Sequence, residues 1–171
     1  MKKEFLNQFI NFVWTVVCFA PVLAYWINVN RSPLFYFFLI VSMISGFLPA
    51  GFFQSIQLSQ SSGFYEKAGV RWVRKFVQNG DFVKRITRKE EEKEQRVIKD
   101  RKAIEKYLKT IAMYERYHFV CLVFFLLTTS HSAFHKAFIY SAVIFACNLF
   151  YNILPILLQQ YNRIRILKMR R

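Results

Sequence analysis

Four stretches of this chain carry so little charge over so many residues that they demand an apolar surround. The first runs from Phe9 to Ile27, interrupted mainly by Asn11 and Thr15, and the second, Leu34 to Phe53, has no charge at all. The fourth, Ala137 to Leu158, contains Asn148 and Asn152. A helix needs about 20 apolar residues to cross a bilayer, and these three runs reach that length. The third, Phe119 to Ser130, is shorter, and it spans only if it starts near Ile111 and takes Glu115, Arg116 and His118 with it. With 54% hydrophobic residues and 20 phenylalanines in 171 residues, a soluble core of this size is excluded. The expected fold is all-α: a polytopic integral membrane protein forming a single membrane domain over residues 1–171. It has about four transmembrane helices, near 9–27, 34–53, 112–130 and 137–158, and an amphipathic cytoplasmic helical insertion over 54–111.

Lys2 and Lys3 precede the first run, as in a signal peptide, but the run is longer than an h-region and no small-x-small cleavage site follows it. The cysteines Cys18, Cys121 and Cys147 all fall inside apolar runs, so they read as small hydrophobic residues rather than disulfide partners or metal ligands. Of 25 lysines and arginines, two lie at the N-terminus, 16 between Gln54 and Arg116 and five after Leu158. Four spans put these segments on one face, which the positive-inside rule makes cytoplasmic, with both termini. The formal net charge of +15 therefore points to anionic lipid headgroups in a cell membrane, not to nucleic acid.

The insertion divides into three. "QSIQLSQSSG" is a serine-rich connector, and "FYEKAGVRWVRKF", residues 64–76, reads as an interfacial helix with Trp72, Val73 and Phe76 on one side and cations on the other. "NGDF", residues 79–82, is a turn signal. Beyond it Thr87 and Glu90 form a capping box, and Val97, Ile104, Leu108 and Ile111 make a narrow apolar stripe on a charged helix that runs on into the third span. No repeat, glycine-rich phosphate loop, CxxC, GxSxG or HExxH occurs. His131 and His135 lie in the short external connection with no third ligand near, so neither a metal nor a cofactor is expected.

Polar groups inside spans are costly and need a reason. "YERYH" places Glu115 and His118 three residues apart on one helical face. A carboxylate beside an imidazole fixes its tautomer and raises its basicity, as a general base acting on an alcohol requires. Asn148, Asn152 and Gln159 line one side of the fourth span, assuming regular helix, and continue into Asn162 and Arg163. Interhelical hydrogen bonding accounts for such a line as well as a reaction site does. Arg163 and Arg165 bracket a phosphate or carboxylate only where the chain leaves helical geometry, and otherwise read as headgroup anchors.

With these residues in hand, the chain resembles the glycosyl-diaponeurosporenoate acyltransferase family of carotenoid biosynthesis, membrane proteins of the staphyloxanthin type. The resemblance rests on "FYEKAGVRWVRKF", with Glu66, Lys67 and Arg71, on "ERYH", and on "NILPILLQQYNRIR". It covers residues 64–165. It implies transfer of a fatty acyl group to a sugar hydroxyl of a glycosylated terpenoid or glycolipid, with acyl-CoA or an acyl carrier as donor. Under that resemblance His118 is the base, Glu115 its orienting partner, and Asn152 with Tyr161 or Asn162 the oxyanion donors. Arg163, Arg165, Lys67 and Arg71 would hold the donor's phosphates. The competing reading is a non-catalytic membrane scaffold or lipid-binding subunit whose polar line only packs helices, and association with a second copy is left open.

Overall fold

The computed structural model describes residues 2–29, 32–76 and 101–169. Among these, regular structure is entirely helical: α1 (Lys2–Asn28), α2 (Pro33–Ser45), α3 (Ala50–Ser55), α4 (Ser62–Lys67), α5 (Val70–Phe76), α6 (Arg101–Phe134), α7 (Phe138–Asn148), a π-helical turn (Leu149–Ile153) and α8 (Leu154–Met169). Three continuous helical stretches are long and apolar enough to cross a membrane, Glu4–Asn28, Ala103–Phe134 and Phe138–Lys168. The chain is an all-helical membrane protein. Of the about four expected spans these stretches meet three, and the second run supplies the shorter apolar helix Pro33–Ser45.

The second run is broken for local reasons. Ser32 Oγ accepts the Leu34 amide at 3.3 Å and Pro33 opens the helix, where its fixed φ is already helical. The helix ends before Gly46, where an added Cβ would stand 2.9 Å from Val120 Cγ2; glycine lets α2 approach α6 there. Pro49 follows with extended backbone, φ −65° and ψ 156°, and its ring also disfavours helix at Leu48. A 13-residue helix at 1.5 Å per residue covers roughly 20 Å, short of the ~30 Å hydrocarbon layer.

Contacts divide the chain into two compact units. One comprises Trp14–Gln57 and Glu115–Ile156, the other Met1–Val13, Leu58–Tyr114 and Leu157–Arg171. In the unit of Trp14–Gln57 and Glu115–Ile156, Cys18, Val22, Tyr25 and Trp26 of α1 pack with Cys121, Phe124 and Phe125 of α6, Ile144 of α7 and Tyr151 of the π turn. Water does not drive such packing inside a bilayer, so close contact and interhelical hydrogen bonds carry it. Trp26 Nε1 donates to Thr128 Oγ1 at 3.2 Å, and the Tyr25 hydroxyl meets His131 Nδ1 at 2.6 Å. His131 was expected in a connecting loop; it lies within α6, stacked on Trp26 at 4.9 Å between centroids.

In the other unit Tyr65, Val70, Leu158, Tyr161 and Ile164 form the buried cluster. The expected single helix over residues 64–76 is instead two, because Gly69 sits at φ +84° and breaks it. That conformation is cheap only for glycine. Within α5, Trp72 and Val73 do not share one environment: Val73 is buried and Trp72 is 59% exposed. The turn at 79–82, the Thr87–Glu90 capping box and Val97 lie outside the described residues, whereas Ile104, Leu108 and Ile111 stand on α6.

Candidate active site

Pro155 shapes the polar stretch of the last apolar run. It has no N–H for the carbonyl of Tyr151 four residues back, and its ring crowds that carbonyl. The helix responds by widening into the π turn Leu149–Ile153, in which the Leu154 N–H reaches Leu149 O. Turns of this kind often sit at functional sites, because they re-aim side chains that a regular helix would direct elsewhere. Here the turn carries Tyr151 and Asn152, both buried.

Around them the unit of Trp14–Gln57 and Glu115–Ile156 gathers a polar cluster. The Tyr151 hydroxyl meets Thr15 Oγ1 at 2.8 Å and the Tyr117 hydroxyl at 2.9 Å. Its ring stands edge-on to the His118 imidazole, with centroids 5.7 Å apart. The Asn152 side chain lies against the same imidazole. Asn152 Nδ2 donates to Asn148 Oδ1 at 2.8 Å, and Asn148 Nδ2 donates to the Leu122 carbonyl at 3.3 Å. His118 and Asn152, expected to face one another, are therefore together.

Glu115 is buried at 1% exposure, but His118 Nδ1 has no hydrogen-bond partner among the described residues, so no bond to that nitrogen comes from Glu115. Arg116, carried into the same span, is bound within the fold. Its Nη1 donates to the Gly46 and Leu48 carbonyls, each at 2.8 Å, and its guanidinium lies 4.9 Å from the Phe53 ring centroid. Those carbonyls follow the end of α2 and have lost their helical donors; one guanidinium nitrogen of the half-buried Arg116 satisfies both at once.

The other unit holds the remaining expected residues. Tyr161 donates its hydroxyl to Glu66 Oε1 at 3.0 Å, and Glu66 Oε2 pairs with Arg71 Nη2 at 2.7 Å. The hydroxyl expected at an oxyanion is thus engaged by a carboxylate, and the charge of Arg71 is matched. The chain stays helical through Met169, so the condition for Arg163 and Arg165 to bracket one anion is not met: Arg163 is half-buried, while Arg165 is exposed, 5.5 Å from the Tyr161 ring centroid. Lys67 is exposed; Asn162 and Gln159 are half-buried.

The fully buried glutamine is Gln160, not Gln159. Gln160 Oε1 accepts from the Tyr65 hydroxyl at 3.0 Å and from the Leu58 amide at 3.3 Å. Counting at about 3.6 residues per turn missed it because the π turn breaks that period. The sequence signal was Pro155. Tyr65, Tyr117, Tyr151 and Thr15 were also missed, the first among charged residues and the others with the ordinary look of an aromatic or small residue at or near an apolar run.

The sequence model of one family, glycosyl-4,4'-diaponeurosporenoate acyltransferase, matches residues 49–171. The chain belongs to this family. The matched segment holds Glu115, His118, Asn148, Tyr151 and Asn152 as well as the Tyr65–Gln160 and Glu66–Tyr161 pairs, and it leaves out α1 with Thr15. No curated protein and no solved structure matched the chain. Family membership makes it an acyltransferase of carotenoid biosynthesis, a class that uses an acyl donor and a glycosylated carotenoid acceptor.

Proposed function

We propose that this protein transfers a fatty acyl group from a thioester donor, acyl-CoA or an acyl carrier, to a sugar hydroxyl of a membrane-embedded glycosylated terpenoid, with His118 as general base. His118 takes the proton of the sugar hydroxyl as its oxygen attacks the acyl carbonyl. The tetrahedral oxyanion then collapses, the C–S bond breaks, and the imidazolium returns its proton to the leaving thiolate. The observation that carries the reading is a half-buried histidine with its Nδ1 enclosed, set edge-on to Tyr151 and beside Asn152. Apolar surroundings suit the polyene, and exclusion of water keeps the thioester from hydrolysis.

In this reading Glu115 adds negative potential near the imidazolium. Lys67 and Arg165, both exposed, and Arg163 are assigned to the phosphates of the donor from the family motifs they belong to. Asn162 and Gln159 contact sugar hydroxyls. The chain acts as one membrane domain in the cell membrane, with both termini in the cytoplasm where the donor is made, as the distribution of its lysines and arginines favours.

The test is production of the glycosylated carotenoid in cells carrying the wild-type chain or His118→Ala at equal membrane abundance, with lipid extracts compared by mass. Loss of the acyl-ester product supports the proposal. An undiminished ester pool overturns it and favours a scaffold.

A further inference from the structure

Tyr161, expected to donate to an oxyanion, is engaged by Glu66, and the Asn152 amide already donates to Asn148. A row of hydroxyls in the unit of Trp14–Gln57 and Glu115–Ile156 offers another donor. Tyr151 of the π turn stands in its middle, 2.8 Å from Thr15 Oγ1 on α1 and 2.9 Å from the Tyr117 hydroxyl on α6. Both phenol rings lie edge-on to the His118 imidazole, with centroids 5.1 Å apart for Tyr117 and 5.7 Å for Tyr151. The row is therefore built against the ring assigned as base. Its middle member, Tyr151, is 7% exposed, and Tyr117 at the open end is 47% exposed.

Each hydroxyl has one proton to donate and can also accept. Two bonds among three hydroxyls use two of their three protons, so one proton always points out of the row. A helical threonine can turn its proton onto the backbone of its own helix. A phenol cannot, because its hydroxyl is held at the far end of a rigid ring. An anion beyond Tyr117 settles the order: Thr15 donates to Tyr151, Tyr151 to Tyr117 and Tyr117 to the anion, each bond polarising the next. We infer that Tyr117 is the hydrogen-bond donor to the tetrahedral oxyanion of acyl transfer, with Tyr151 and Thr15 as positioning residues behind it. The inference rests on the proposed acyl transfer with His118 as base. As the sugar oxygen adds to the thioester carbonyl, a C–O bond forms and the π pair moves onto the carbonyl oxygen. The Tyr117 hydroxyl hydrogen-bonds to that oxygen without giving up its proton. When the C–S bond breaks, the pair returns to the carbonyl and the imidazolium protonates the thiolate. Thr15 lies before residue 49, where the family match begins, so α1 contributes to the site from outside the matched segment.

Turnover of the full-length protein in lipid nanodiscs, with an acyl thioester and the glycosylated carotenoid, tests this. Tyr117→Phe keeps the ring against His118 and removes only the hydroxyl. It is expected to lower kcat by roughly 10²–10³-fold, as loss of one oxyanion donor does, with KM for both substrates little changed. Affinity for a ketone analogue of the thioester, whose tetrahedral adduct presents the same oxygen, falls by a similar factor. Tyr151→Phe and Thr15→Val lower kcat by less, and Thr15→Ser, which keeps the hydroxyl, restores it. An unchanged kcat in Tyr117→Phe overturns the inference, as does a kcat that falls while affinity for the ketone analogue holds. His118→Ala separates these failures from failure of the base. Ester lost there but undiminished in Tyr117→Phe removes the donor and keeps the base; the reverse pattern removes the base and keeps the donor.

Discussion

Asn148 and Asn152, one helical turn apart and joined at 2.8 Å, straddle the point where the last apolar run changes from α to π geometry. Their pairing spans that change. Pro155, three residues beyond Asn152, withholds the amide that would have kept the helix regular, and the widened turn brings Asn152 and Tyr151 together beside His118.

Pro155→Ala restores an N–H and favours an unbroken α-helix. Taking one residue out of a turn rotates the helix on its N-terminal side by about 100° against the helix on its C-terminal side, which separates Asn152 from the imidazole. Ester formation is expected to fall at least tenfold while the protein is no less stable to heat, as measured by thermal unfolding in detergent beside a product assay.

Gly46→Ala places a methyl group 2.9 Å from Val120 Cγ2. The overpacked contact is expected to cost ~1–3 kcal/mol. Because the tighter of its two contacts is with one methyl group, the other being Met43 O at 3.2 Å, Val120→Ala in the same chain recovers part of the loss, and a double-mutant cycle in chemical denaturation reads the coupling.

Arg116→Leu leaves the Gly46 and Leu48 carbonyls without their shared donor. Hydrogen bonds to a charged group contribute about 1.5–3 kcal/mol each, so a loss of several kcal/mol in unfolding free energy is expected. Arg116→Lys, with one compact ammonium in place of a planar fork, recovers only part of it.

Glu66→Gln keeps an acceptor for the Tyr161 hydroxyl while breaking the ion pair with Arg71, whose side chain is 67% exposed. An exposed pair contributes about 0–1 kcal/mol, so stability is expected to change little. Tyr161→Phe removes the buried hydroxyl bond instead and is expected to cost about 1 kcal/mol; thermal unfolding of the two variants shows which half of the triad matters.

The sequence by itself determined the membrane class, the helical fold and the family. Long uncharged runs, their length in helical residues and three short motif patches are local properties, legible without neighbours. Glu115, His118 and the asparagines at 148 and 152 stood out in the sequence because buried polarity is expensive wherever it occurs. Tertiary structure decided the pairings. Arg116, by sequence only a charge carried into an apolar run, is a donor for carbonyls 68 and 70 residues away. Gln160 displaced Gln159 because one π turn shifts the phase of every residue counted past it. Periodicity is read along one chain segment, whereas the direction of a hydrogen bond is set by the partner that packing brings, and only the folded chain supplies that partner.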